Sequence, residues 1–173
     1  YIRLMGYAGD RVTAWRDPEL DPGDTGYQIL QSLYAIGSGG VFGLGFGKSR
    51  QKYLYLPFQY NDYIFAIVCE ELGLVGACGI ILLFALLIVR GYRIARQAPD
   101  RFSTALGAGL VTLIAVQTVL NLCVVTNLLP STGIALPFFS YGGTALAVNL
   151  GEMGIVLNIS RSGNKRTIRR QLH

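Results

Sequence analysis

Charge is what this chain has least of. Only 14% of its residues are Asp, Glu, Lys or Arg, against about a quarter in an ordinary soluble domain. No charged side chain falls between Phe102 and Gly151. A soluble protein can hide one such helix in its core, but a chain of 173 residues is too short to bury all of this apolar length. Histidine is almost missing. The one copy, His173, is the last residue, which leaves no partner for a Ser–His triad or a histidine metal cluster. Cysteine is also sparse: Cys69, Cys78 and Cys123 all sit inside apolar segments, in no metal-ligand spacing. They read as small core residues rather than as a disulfide or a metal centre.

What charge there is lies in blocks. The net charge of +5 does not point to nucleic acid, because no polar face interleaves basic with aromatic residues. Arg90, Arg93, Arg96 and Arg101 follow the uncharged run Leu72–Val89, and Arg161, Lys165, Arg166, Arg169 and Arg170 follow the last apolar stretch. Short flanks rich in Lys and Arg mark the cytoplasmic ends of membrane spans. The expected class is an all-α polytopic membrane protein. Residues 1–61 form a large outer loop with an amphipathic helix and a Gly-rich segment. Spans follow at 62–89, 103–129 and 141–160, each with the roughly twenty residues that cross about 30 Å of hydrocarbon. They are joined by a basic cytoplasmic loop, 90–102, and an outer Pro/Gly loop, 130–140. A basic cytoplasmic tail, 161–173, closes the chain. The outer segment has six basic residues against five acidic ones and no positive bias, which agrees with this orientation. The chain starts at Tyr1 without a signal segment and reads as the C-terminal portion of a longer protein.

Within the outer segment, residues 17–24 are turn-rich and acidic. Apolar residues at Tyr27, Ile29, Leu30, Leu33, Tyr34 and Ile36 fit an amphipathic helix lying on the membrane or on the spans. Six glycines then fall in the eleven residues Gly37–Gly47. They exclude a long helix there and allow a close backbone approach to a ligand.

Asp62 is the carboxylate best placed for chemistry. It stands at the foot of a long apolar helix, where a water-soluble group and a lipid-borne one can meet. That position suggests an enzyme acting on a lipid-linked substrate. Three readings stay open from the residues alone: a helix N-cap, a general base for a sugar hydroxyl, with its pKa raised at a half-dry boundary, or a ligand for a divalent cation beside a pyrophosphate. Glu70 and Glu71 follow about 12 Å further along a helix, beyond the ~9.5 Å limit of a glycosidase pair. They are supporting polar residues, either functional or part of a helix-to-helix network. Lys48, Arg50 and Lys52 make an alternating basic patch suited to a phosphate or pyrophosphate, to a solvated loop, or to contact with anionic lipid headgroups. The loop through Pro130, Gly133, Pro137, Ser140, Tyr141, Gly142 and Gly143 is non-helical backbone between spans, tolerated where it is buried in protein or lines a cavity. Gln117, Asn121, Asn127, Asn149 and Glu152 read as polar glue between helices.

Taken together these motifs resemble the SEDS family (shape, elongation, division and sporulation), which includes the FtsW, RodA and SpoVE proteins. The resemblance rests on Gly26-Tyr27-Gln28, Ala35-Ile36-Gly37-Ser38-Gly39-Gly40 and Gly45-Phe46-Gly47-Lys48-Ser49-Arg50-Gln51-Lys52. It continues through Tyr55-Leu56-Pro57, Asp62-Tyr63-Ile64-Phe65, Glu70-Glu71-Leu72-Gly73 and Leu136-Pro137-Phe138-Phe139-Ser140-Tyr141-Gly142-Gly143. The Ser-Arg-Gln-Lys stretch is similar to the division and sporulation branch.

The resemblance implies a peptidoglycan glycosyltransferase that polymerises lipid II on the outer face of the bacterial cytoplasmic membrane. It implies Asp62 as the catalytic aspartate, and Lys48, Arg50, Gln51, Lys52, Ser140, Tyr141, Gly142 and Gly143 as substrate-binding residues. The implied partners are a class B penicillin-binding protein that supplies the transpeptidase, and other divisome proteins. No metal ligand set is expected; a divalent cation, Mg or Mn, is the one cofactor the pattern admits. The chain departs from the family where Phe58 and Thr132 replace a frequent Glu and a Lys found in some members. Regulation through that charge pair is therefore not expected here. The rival reading is a flippase or transporter of the same lipid-linked precursor; a third is a scaffold that recruits a polymerase.

Overall fold

In the computed structural model, residues 11–13, 15–18, 25–45, 47 and 62–171 are described, with side chains up to residue 163. Among these residues the structure is all-helical. Four helices carry it: α1, Thr25–Gly39; α2, Ile64–Arg96; α3, Arg101–Val125; and α4, Gly143–Gln171. Two of them, α2 and α3, are long and apolar enough to cross a membrane.

The helices outrun the uncharged stretches that announce them. α2 continues past Val89 through three arginines to Arg96, because arginine is a good helix former whose long stem can leave its head in water. Only Gln97–Asp100 then separate α2 from α3, instead of the whole of 90–102. Asp100 fixes the start of α3. Its backbone is extended (φ −139°, ψ 161°), and its carboxylate accepts from the Ser103 amide and the Ser103 hydroxyl, both at 2.8 Å. α3 ends at Val125 rather than at residue 129, and α4 runs on to Gln171 rather than stopping at 160.

α2 and α3 pack through small residues. A Cβ on Gly91 would meet Val111 Cγ2 at 2.6 Å, and one on Gly107 would meet Ala95 Cβ at 3.3 Å. Small residues one turn apart let membrane helices approach closely where water supplies no drive. Tyr92 and Thr112 share a hydroxyl hydrogen bond of 2.8 Å across the same interface. On α1, Ile29, Ser32, Ala35 and Gly39 are buried, a single stripe at helical spacing. This stripe lies on α2 and on the end of α3: Ala35 shares a core cluster with Tyr63, Ala66, Cys69 and Val125. α1 is therefore docked on the spans, with Tyr34 and Leu33 on its outer side.

α2 is broken at Gly73, whose φ of 66° and ψ of −167° lie outside any helix in a region open essentially only to glycine. Such a break leaves the carbonyls of Glu70 and Glu71, and the amides of Leu74 and Val75, without their helical partners. The Gly-rich segment supplies all four. Leu44 and Gly45 amides donate to the Glu70 and Glu71 carbonyls at 2.9 and 3.0 Å, while Leu74 and Val75 amides donate to the Gly40 and Val41 carbonyls at 2.9 and 3.2 Å. Among the described residues, the close backbone approach that these glycines allow is made to the broken helix, with Gly43 backbone lying against Gly73 backbone. The expectation that Gly37–Gly47 excludes helix holds only from Gly40, since α1 extends through Gly37 to Gly39.

Candidate functional site

Asp62 lies at the junction of three parts of the chain. It precedes α2, and its backbone carbonyl accepts from the Asn121 side-chain amide of α3 at 2.8 Å. The same Nδ2 donates to the Ile134 carbonyl at 2.8 Å, so one amide pins the foot of α2 to the loop between α3 and α4. The loop passes the carboxylate closely: a Cβ on Gly133 (φ 72°) would lie 3.6 Å from Asp62 Oδ2. Two residues from the start of the chain, Arg11 and Trp15, are tied to the same loop. Arg11 donates to the Ser131 carbonyl and Trp15 Nε1 to the Asn127 carbonyl, both at 3.0 Å.

The capping reading of Asp62 does not hold. The N-cap position of α2 is Tyr63, and no side chain makes a capping bond there. The carboxylate is thus not spent on the helix. Burial raises its pKa above the ordinary carboxylate value of 3.8, and the positive charge of Arg11 opposes that shift. A half-buried carboxylate with a raised pKa holds a proton more tightly than an ordinary one, which suits a proton acceptor.

A cleft of about 480 Å³ opens between α3, the loop and the start of α4, and Asp62 is not one of its lining residues. Its walls include Gln117, Ile134, Phe138, Ser140, Thr144 and Asn149. Ile134 is common to the cleft and to the Asn121 bridge. The loop dips deeply here, because Phe139 packs on Phe84 with ring centroids 6.0 Å apart. Phe84 lies eleven residues past the Gly73 break, a rise of roughly 16 Å. Non-helical backbone at such a level is what a protein-lined cavity permits. The polar stripe of α4 is turned inward: Asn149 and Glu152 are buried, as are Val156 and Ile159, while Leu146, Val148, Leu150 and Leu157 are exposed.

The predicted residues separate into groups. Ser140 lines the cleft, but its hydroxyl oxygen also accepts from the Leu136 amide at 2.8 Å, so it shapes the turn as well. Tyr141 is 82% exposed. Gly142 gives its carbonyl to the Leu146 amide at 2.9 Å, and Gly143 starts α4. Glu70 and Glu71 are buried where the Gly-rich segment clasps α2, away from the Asn121 bridge; Glu71 Oε1 has no hydrogen-bond partner among the described residues. Lys48, Arg50, Gln51 and Lys52, and Phe58 with them, lie outside the described residues. Two residues enter that sequence reasoning did not assign to the site. Arg11 carries no local motif, and Asn121 reads from the sequence as helix glue, with nothing there to show that its partners are Asp62 and Ile134. No group of three Asp, Glu, His or Cys side chains able to hold a metal is present among the described residues.

Comparison with known proteins gives a consistent result. The family model described as "Cell cycle protein", covering FtsW, RodA and SpoVE, matches residues 1–165. Stage V sporulation protein E of Bacillus subtilis (strain 168) is 50% identical, over 92% of this chain and 46% of that protein. A probable peptidoglycan glycosyltransferase FtsW of Geobacter sulfurreducens is 47% identical, over 92% of this chain and 43% of that one. A solved chain from work on the structural coordination of polymerization and crosslinking by a peptidoglycan synthase complex aligns with a TM-score of 0.72 and 32% identity. That alignment covers 91% of this chain and 42% of the other. The chain spans less than half the length of these relatives.

Proposed function

The chain belongs to the FtsW, RodA and SpoVE family of cell cycle proteins, and from that premise we propose that it carries the reacting carboxylate of a peptidoglycan glycosyltransferase. The substrate in this reading is lipid II, and the product a glycan strand for septal or spore cell wall. The observation that carries it is the placement of Asp62. Its backbone is fixed by Asn121, its carboxylate is free of helix capping, and its pKa is raised.

In this reaction an acceptor sugar hydroxyl attacks the anomeric carbon of the donor, and the bond from that carbon to the lipid pyrophosphate breaks with inversion. Asp62 accepts the hydroxyl proton as the new glycosidic bond forms. The leaving pyrophosphate carries the developing negative charge, which fixed cations stabilise; Lys48, Arg50 and Lys52 are assigned to it with Gln51. Ser140, Tyr141, Gly142 and Gly143 border the sugar side through the cleft and the turn before α4. A divalent cation, Mg or Mn, bound beside the pyrophosphate would supply further positive charge there. The site faces outward from the bacterial cytoplasmic membrane, and a class B penicillin-binding protein crosslinks the product with the other divisome proteins. The solved complex, whose subject is the coordination of polymerization with crosslinking, supports such a partner.

The decisive experiment is polymerisation of purified lipid II by the full-length protein with its partner, wild type against Asp62→Asn. Glycan strands made by the wild type and lost in a folded variant are expected. Strands retained by Asp62→Asn would overturn the assignment of the base. Lipid II crossing proteoliposome membranes with no strand formation by the wild type would favour a flippase.

A further inference from the structure

The arginine-bearing end of the bundle holds a second cleft, of about 620 Å³, between the last turns of α2 and the second half of α4. Arg90 and Gln97 border it on one side and Arg161 on the other, while Ile94, Leu157 and Ile159 supply apolar walls. The three long helices converge beside it: a Cβ on Gly107 of α3 would meet Ile159 Cδ1 at 3.2 Å and Ala95 Cβ at 3.3 Å. The cleft is thus built into the packing of the bundle.

Its charge is not answered from within. Neither Arg90 nor Arg161 has an ion-pair partner among the described residues. Asp100, the acid of the α2–α3 link, has both carboxylate oxygens engaged by Ser103 at 2.8 Å. On α4 the preceding acid, Glu152, lies nine residues before Arg161, roughly 13 Å along the axis. Two guanidinium groups facing one concavity repel each other unless an anion sits between them, and guanidinium matches phosphate oxygens in a bidentate way.

Depth selects the kind of anion. Arg90 is the first charged residue after the run Leu72–Val89, so the cleft stands where hydrocarbon gives way to headgroups. An inorganic phosphate would leave Ile94, Leu157 and Ile159 unused, whereas a lipid would cover them with its first acyl carbons. We infer that this cleft binds the phosphate headgroup of an anionic membrane lipid, with Arg90 and Arg161 holding the phosphate. Basic pockets between membrane helices are suited to such headgroups.

The test uses the full-length protein in nanodiscs of phosphatidylcholine with graded phosphatidylglycerol, and native mass spectrometry to count retained phosphatidylglycerol. Apparent affinity should fall about fivefold for Arg90→Gln or Arg161→Gln and about 25-fold for the pair, since each cation near a headgroup contributes about that factor. Arg93→Gln, outside the cleft, should leave retention unchanged. Replacing both arginines by lysine should restore part of the binding, which separates charge from folding. If the double Gln protein fails to fold, the single variants decide. Unchanged retention in folded Gln variants would overturn the inference. So would an equal thermal stabilisation of detergent-solubilised protein by inorganic phosphate and by short-chain phosphatidylglycerol, because that marks a site for free anion.

Discussion

The Leu44 amide donates to the Glu70 carbonyl at 2.9 Å, standing where the Leu74 amide would stand in an unbroken helix. With the three companion bonds it turns a break in α2 into a joint between two backbones. A buried amide or carbonyl without a partner costs about 1–3 kcal/mol, so a break exposing four such groups persists only because the Gly-rich segment meets all of them. The joint fixes where the first part of α2, and hence Asp62, departs from the second.

Gly73 and Gly79 should therefore respond in opposite ways to alanine. A Cβ on Gly73 would lie 2.6 Å from the Val41 carbonyl oxygen at a positive φ, whereas one on Gly79 has nothing within 4 Å. Gly73→Ala is expected to lose about 3 kcal/mol from backbone strain, and more from the clash. Gly79→Ala should be neutral or gain up to about 1 kcal/mol from helix propensity. Thermal unfolding of both variants in one detergent checks this; equal melting temperatures would show that the joint does not bear on stability.

Asn121→Leu keeps much of the side-chain volume but removes the donor shared by the Asp62 and Ile134 carbonyls. The expected cost is about 2–4 kcal/mol for two carbonyls losing their partner. A carboxylate displaced by about 1 Å can lose on the order of a hundredfold in rate. Steady-state polymerisation should show kcat falling at least tenfold with KM nearly unchanged. A fall confined to KM would mean that Asn121 supports substrate binding instead of the position of Asp62.

Two aspartates each stand just before an apolar helix, and the structure gives them different work. Asp100 caps α3 through Ser103; Asp62 caps nothing. Asp100→Ala should cost about 1 kcal/mol and leave polymerisation largely intact. Asp62→Ala should abolish polymerisation without the loss that a missing cap brings. Melting curves and strand synthesis measured on the same preparations distinguish the two.

This pair also shows what the residues alone could and could not disclose. Asp62 was visible because a lone carboxylate at the edge of an apolar run is costly and so stands out. Its role as cap or base was not decidable, since capping depends on whether the helix starts at residue 63 or 64. The long helices were visible as charge-free runs; their basic ends were not, because arginine is both a helix former and a flank residue. The break at Gly73 was hidden, since glycine within an apolar run reads as ordinary helix, and its partner lies thirty residues earlier at Gly43. Asn121 meets Asp62 across 59 positions, a separation that no local pattern bridges.

The acid limb of activity should report the surroundings of Asp62. Its carboxyl holds a proton to higher pH than an ordinary aspartate, because burial outweighs the opposing charge of Arg11. The proton-accepting form is therefore lost on acidification at a pH above 3.8, and kcat/KM should fall there. Arg11→Gln removes the lowering influence, so the limb should move to still higher pH, while Arg11→Lys should hold it near the wild-type position. The stability sign follows from the same direction. A folded pKa above the unfolded one means that ionisation opposes folding, so stability declines as pH rises from the unfolded value through the folded one and then levels off. Asp62→Asn should remove that decline. Rate profiles of the full-length protein, with melting temperatures across the same pH range, test both signs; an acid limb that Arg11→Gln leaves unmoved would show that the Arg11 charge does not reach the carboxylate.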